Sequence, residues 1–288
     1  MSKIAIVVDS NSGYTQESAD AAGIYLIPMP FYINEEEYFE GVNLTQKEFY
    51  EFLKQDANVT TSQPSPDSML KLWDELLKDH EEIIYFPMSS GLSGTCQTAM
   101  MLAQDYEGRV LVVDNQRISV PLKHSIMDAC TMAEYGRTGK EIKEYLEKTK
   151  MDSAVYITVD TLKYLKKGGR ITPAAAALGT LLKIKPVLQI RGEKLDSYAK
   201  ARTMNQAKKI MIDALKKDVE DLFDGNAQEV HFDIAHTQSE EEAMAVKALI
   251  ESAFPGSEVS IVDPLSLSIA CHIGEGAVGV AWTRKLIV

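Results

Sequence analysis

The stretch Ser89-Ser90-Gly91-Leu92-Ser93-Gly94-Thr95 gathers hydroxyl side chains and glycines at one point of the chain. Residues 83–88 before it read as a strand, and residues 96–106 after it read as a helix. It therefore falls at the carboxyl end of a sheet strand, the edge where open α/β sheets bind ligands. A helix start offers N–H groups and a positive dipole end, glycines admit a ligand close to the backbone, and hydroxyls donate to an oxyanion. The chemistry implied is capture of a carboxylate or phosphate. The same residues equally suit a turn that caps its own helix, and local sequence leaves the two readings open.

Two sharper readings can be weighed at once. A P-loop ends in Gly-Lys-Ser/Thr, and Gly94-Thr95 has no lysine, which argues against nucleotide binding. A hydrolase nucleophile elbow is Gly-x-Ser-x-Gly, whereas Gly91-Leu92-Ser93-Gly94-Thr95 ends in threonine. Ser93, Asp263 and His272 do follow the chain order of a hydrolase triad, so a serine acyl hydrolase using Ser93 and His272 stands as the alternative function.

A second hydroxyl cluster, Thr60-Thr61-Ser62-Gln63-Pro64-Ser65, precedes a helix opened by Ser65 as cap and Pro66 at the first position. One cap needs one side-chain oxygen, so Thr61 and Ser62 are candidates to donate to the same anion as Ser93. Two cationic groups stand further on. Lys166-Lys167-Gly168-Gly169-Arg170 reads as a basic helix end with glycine caps, which leaves Arg170 unexplained. His272 is placed in a glycine-rich turn, His272-Ile273-Gly274-Glu275-Gly276, before the last strand. His231 and His236 are five apart and form no metal site, and no metal centre is expected. Met100, Met101, Met127 and Met132 lie at helical spacings and read as core filler, or as the wall of an apolar tunnel.

The elements that must carry these residues alternate. Strand signals at 4–8, 83–88 and 110–114 are interleaved with helix signals starting at Thr45, at Ser65 and at Thr138 and over 96–106 and 118–135. Such units imply a mostly parallel sheet with helices on both faces, over residues 1–150. Residues 151–288 change character, with a strand over 153–159, a short helix ending at Gly168-Gly169 and an Ala-rich helix from Pro173. A hairpin joins 187–190 to 195–200, and strands at 229–235, 259–262 and 277–282 alternate with helices at 206–223 and 240–254. The expected fold class is α/β in two domains, the second an α+β domain with a largely antiparallel sheet. A cleft between the two is the expected ligand site.

The 288 residues suit about two domains. Thirty basic against 42 acidic residues give a net charge of −12, which argues against nucleic acid and anionic membrane surfaces as partners. Cys96, Cys130 and Cys271 stand far apart with no CxxC pair, which fits a reducing cytoplasm. The apolar run before Asp9 is too short for a signal-peptide core, and the uncharged segment 171–182 is too short to span a bilayer. A cytoplasmic location without membrane insertion is expected.

Taken in order, these segments resemble the DegV family, the fatty-acid-binding subunits of bacterial fatty acid kinase. The resemblance rests on Val8-Asp9-Ser10, Thr61-Ser62-Gln63-Pro64-Ser65, Ser89 to Thr95, Gly168-Gly169-Arg170, Ile184-Lys185-Pro186-Val187 and Lys200-Ala201-Arg202. His272-Ile273-Gly274-Glu275-Gly276 is similar to the family's terminal turn, with Glu275 where proline is usual. The resemblance implies a non-catalytic carrier that encloses a long-chain fatty acid in a tunnel and needs no other cofactor. It implies that Thr61, Ser62 and Ser93 hold the carboxylate at the domain boundary, with Arg170, His272 and Gly274 near the head group or the phosphoryl transfer. It further implies a separate ATP-binding kinase subunit as partner, which forms the acyl phosphate.

Overall fold

The computed structural model describes residues 3–178 and 184–287. The chain divides into two compact units, one running to Lys150 and including Ser266–Ser268, the other made of Met151–Leu265 with Ile269–Ile287.

In the first unit, four parallel strands lie in the order Tyr25–Ile27, Ile4–Asp9, Glu82–Phe86, Val110–Val112. Ile4–Asp9 and Glu82–Phe86 are near-continuous apolar runs because both faces of a parallel sheet are covered. One face packs Ala5, Val7, Ile83 and Tyr85 on Met69, Trp73 and Leu76 of the helix Pro66–Leu76 and on Cys96 and Ala99 of the helix Thr95–Ala103. The helices Ser119–Glu134 and Gly139–Lys148 also pack on the sheet. Capping boxes at Thr45 and Thr138 start their helices as the sequence spacing predicts.

The second unit holds a six-stranded sheet ordered Asp196–Ala201, Lys185–Ile190, Ser153–Thr158, Val278–Arg284, Val230–His236, Val259–Pro264. Every pair is antiparallel except the last, which is parallel. Tyr156, Phe232, Ile234, Val280 and Trp282 share one face and pack with the helices Met204–Phe223 and Glu240–Ala253. The parallel-sheet and largely antiparallel-sheet expectations therefore hold.

Several elements depart from the sequence reading. A three-stranded antiparallel sheet, Glu36–Phe39, Pro30–Ile33, Val59–Thr61, is added to the first unit, so Thr61 ends a strand and does not lie in a loop. A short helix Gln16–Ala21 starts at a Thr15 cap. The segment Leu267–Ile273 is helical, which puts His272 in a last helical turn and not in the glycine turn. Met100, Met101 and Met127 are exposed, so of the four methionines only Met132 fills core; helical spacing fixes a shared face but not which face is covered. The Ala-rich helix is described over Pro173–Leu178, and the rest of the uncharged segment lies outside the described residues.

Candidate functional site

The two central strands of the parallel sheet, Ile4–Asp9 and Glu82–Phe86, lead to neighbours on opposite sides, Tyr25–Ile27 and Val110–Val112. Their carboxyl ends therefore flank the point where strand order reverses, the crevice in which such sheets bind ligands. Asp9 joins the two ends. Its buried carboxylate accepts the N–H of Asn11 at 2.9 Å and, across to the next strand's exit, the N–H of Met88 at 2.9 Å. Burial pushes this carboxyl up to about 6, against the pull of those hydrogen bonds.

The hydroxyl loop begins at Met88, and its backbone donors can be followed one by one. Ser89 N–H donates to the carbonyl of Arg117 at 3.0 Å, and Ser90 N–H to Asp114 Oδ1 at 3.3 Å. Gly91 N–H reaches Ser89 Oγ at 3.2 Å, while Leu92 and Ser93 N–H both reach the Ser89 carbonyl. Every N–H from Met88 to Ser93 is thus directed to an acceptor of the protein. An anion held by the segment from Met88 to Ser93 is consequently met by its hydroxyls, and at the helix start that follows, Thr95 N–H is already turned to Ser93 Oγ. Ser93 Oγ accepts the N–H of Thr95 at 3.2 Å and lies 2.8 Å from Thr95 Oγ1. When the Thr95 hydroxyl donates in that pair, the Ser93 hydrogen points elsewhere and is available to an oxyanion. Ser93 is half-buried.

Thr61 ends its strand opposite Phe31, half-buried, and Ser62 follows it exposed, its N–H donated to the Pro30 carbonyl at 3.1 Å. Ser65 caps the next helix, its Oγ accepting from Ser68 N–H at 3.1 Å, so neither Thr61 nor Ser62 serves that cap. Ser62 and Gln63 line a cleft of about 570 Å³ with Pro30, Tyr32, Phe39 and Leu72. Gln63 Oε1 accepts the hydroxyl of Thr98 at 3.2 Å, which ties this segment to the helix that follows Ser93. Sequence reading gave Gln63 and Asp9 no role of their own, because each acts through a partner far along the chain.

In the second unit, the helix Lys163–Gly168 ends on Gly169 in the left-handed conformation, as a glycine cap should. Arg170 then folds back, its Nη1 donating to the Gly168 carbonyl. The imidazole of His272 lies against Gly168 so closely that a Cβ there would collide with Nδ1 and stand 3.0 Å from Cε1. The structure thus brings Arg170 and His272 together around Gly168. Burial, and after it the Arg170 charge, hold the imidazole down at about 4, so His272 is neutral at neutral pH and not the cation that the sequence suggests. Gly274 has φ +83 and a Cβ there would meet the Tyr164 ring at 2.7 Å, so glycine is needed both for conformation and for space. Gly274 N–H bonds the Ala270 carbonyl at 2.7 Å and Gly276 N–H the Thr237 carbonyl at 2.8 Å, which fixes the turn with Glu275 in place.

The hydrolase elbow is not reproduced. That motif places its serine on a sharp turn directly after a strand. Here residues 87–94 separate the strand end Phe86 from the helix start Thr95, and Ser93 is next to the helix. His231 and His236 have separate partners, Ser260 Oγ and the Ser239 N–H. Among the described residues no helix is long and apolar enough to cross a membrane.

Known proteins share this architecture. The model of the DegV family, described as "Uncharacterised protein, DegV family", matches residues 3–285. A DegV domain-containing protein of Staphylococcus aureus is 31% identical over 99% of this chain and 100% of its own length. One of Listeria monocytogenes is 32% identical over 98% of this chain and 99% of its own. A solved structure described as fatty acid binding of a DegV family protein from Thermus thermophilus superposes with a TM-score of 0.89 at 29% identity, covering 98% of this chain and 100% of that one. DegV of Bacillus subtilis, described as a fatty acid binding protein, gives 0.85 at 29% identity, covering 99% and 100%. With the family model matching residues 3–285 and relatives above 30% identity over 98–99% of its length, the chain belongs to the DegV family.

Proposed function

We propose that this protein binds a long-chain fatty acid one-to-one and is a cytoplasmic, non-catalytic carrier. Thr61, Ser62 and Ser93 hold the carboxylate by their hydroxyls. The tail lies in an internal tunnel, and the carrier presents the carboxyl group to a separate ATP-using kinase subunit that forms the acyl phosphate. Arg170, His272 and Gly274 act near the head group or the phosphoryl transfer.

The observation that carries the reading is the commitment of the loop's N–H groups from Met88 to Ser93. A phosphate cradle needs such N–H groups pointing outward. A segment whose own N–H groups are committed from Met88 to Ser93 and whose hydroxyls are not suits a singly charged carboxylate whose affinity comes from elsewhere. Burying about 14 methylenes at about 0.8 kcal/mol each supplies roughly 11 kcal/mol before ordering costs, whereas each bond to a charged head group adds about 1.5–3 kcal/mol and chiefly offsets desolvation. The fatty acid described for the Thermus thermophilus and Bacillus subtilis relatives supports the same ligand class.

The test is denaturing extraction of the purified protein, with identification and quantification of any lipid. Stoichiometric fatty acid is expected. Absence of lipid together with failure to bind added palmitate or oleate would sink the proposal.

A further inference from the structure

The helix Thr95–Ala103 starts in an unusual way. Its cap position is Gly94, which contributes no side-chain acceptor. Glycine is not required there by conformation, because φ −72 and ψ −7 are open to any residue. What the position lacks is room. A Cβ on Gly94 would stand 3.3 Å from Gln63 Oε1, tighter than ordinary van der Waals contact. The same oxygen accepts the hydroxyl of Thr98 at 3.2 Å, one turn further along the helix. Thus a carbonyl oxygen from the first hydroxyl segment is seated on the start of the helix that the second hydroxyl segment opens, and a glycine makes the seat.

Gln63 follows Thr61 and Ser62 directly, and Gly94 follows Ser93 directly. The carboxamide therefore fixes the distance between the two sets of hydroxyls through the shortest available chain paths. We propose that Gln63, held by Thr98 and admitted by Gly94, is a positioning residue that sets Thr61 and Ser62 in register with Ser93 around one carboxylate. This rests on the fatty-acid reading above and assigns its head-group selectivity to a side-chain pair outside the hydroxyls themselves. Loss of the clamp lets the two segments drift, and the bonds that suffer are those made to the carboxylate. The tail is indifferent to it.

Affinities for palmitate and for hexadecanol, each measured by equilibrium partition from cyclodextrin, separate these contributions. Gln63→Ala and Thr98→Val should each weaken palmitate binding about threefold to tenfold, the worth of one neutral hydrogen bond. The double variant should lose no more than the stronger single one, since both remove one interaction. Thr98→Ser, which keeps the hydroxyl, should stay within about twofold of wild type, and hexadecanol affinity should hardly change in any of them. Gly94→Ala, tolerated by the backbone, should reproduce the selective loss if the other variants fold poorly. The proposal is overturned if Thr98→Val and Gly94→Ala bind palmitate as wild type does while Ser93→Ala does not. It is equally overturned if acid and alcohol weaken together, the mark of a merely structural role. Should Ser93→Ala and wild type bind palmitate alike, or wild type bind none, the carboxylate reading itself fails and takes this inference with it.

Discussion

The carboxylate of Asp9 and the amide nitrogen of Met88 lie 2.9 Å apart, joining the carboxyl ends of two adjacent parallel strands. This one bond roots the hydroxyl loop on the strand next to it. Because the carboxyl is fully buried, its pKa rises from 3.8 to about 6. Between those values the folded chain holds a proton that the unfolded chain has released. The stability linked to Asp9 is therefore fully present below about pH 4 and is lost as pH rises through about 6, a change on the order of 3 kcal/mol. Tyr85 and Cys96, the groups whose own titration feels the Asp9 charge, stay neutral through this window, since burial raises both. Asp9→Asn lacks this component. Urea unfolding from pH 4 to 7.5 should show the wild type gaining on Asp9→Asn toward low pH; parallel curves would remove Asp9 as the source.

Ser93 has two duties, and its substitution should show both. The Thr95 N–H that it accepts is one of the orphan donors of a helix start, so Ser93→Ala should cost about 1 kcal/mol of stability without ligand. Loss of a bond to a charged carboxylate should cost a further tenfold to hundredfold in fatty-acid affinity. Thr61→Ala should lower affinity by a similar factor, with a smaller effect on the ligand-free protein, since it caps no helix. Calorimetry with and without palmitate separates the two terms. Equal stabilisation of wild type and both variants by palmitate would contradict their assignment as carboxylate donors.

Most strands of the parallel and the six-stranded sheets were legible as runs bounded by turn formers, the three-residue edge strand Tyr25–Ile27 excepted, and the capping signals at Thr45, Ser65 and Thr138 stand in the chain as written. What escaped was short or remote. Val59–Thr61 is a three-residue strand with two threonines, too brief for alternation to show. Leu267–Ile273 spans only seven residues, too few for a helical period to stand out, and the sequence reading takes neither Ser266 before it nor Gly274 after it as its cap. The bonds of Asp9 to Met88 and of Gln63 to Thr98 join residues 79 and 35 positions apart, and local pattern carries no record of such pairs. One sign was present. Gly94 occupies a helix start flanked by serine and threonine, where a hydroxyl would be the better cap, and that choice marks a close approach.

The contact between Gly168 and His272 gives a third test. Gly168 is a helical residue whose backbone accepts alanine, so Gly168→Ala should act only through the Cβ that meets the imidazole. Overpacking of this kind costs about 1–3 kcal/mol. Replacing His272 with Ala in the same chain should relieve the clash, so the double variant should be more stable than additivity of the single variants allows. Strictly additive unfolding free energies would show that the imidazole does not occupy this space in solution.

The last prediction separates holding the ligand from handing it over, and it turns on Arg170. Arg170 donates to the Gly168 carbonyl, which orients the guanidinium at the end of its helix, and its charge helps to keep His272 neutral. Arg170→Ala should therefore raise the His272 pKa above about 4 without restoring the ordinary value, because burial is the larger cause. A proton NMR titration of the imidazole reads this directly, and an unchanged value would mean that the two groups are not neighbours. The same variant bears on the proposed role. A fatty carboxylate can be held by hydroxyls and tail, but its phosphorylation brings a negative phosphoryl donor to an already negative oxygen. A guanidinium nearby lowers that repulsion chiefly in the transition state. Acyl-phosphate formation with a cognate kinase subunit should accordingly fall much further in Arg170→Ala than fatty-acid binding does. Arg170→Lys should recover only part of it, since an ammonium lacks the planar fork. If Arg170 is only a helix-end cation, worth about 0.3–1 kcal/mol, both variants will turn over within a few-fold of wild type and the transfer role must be given up.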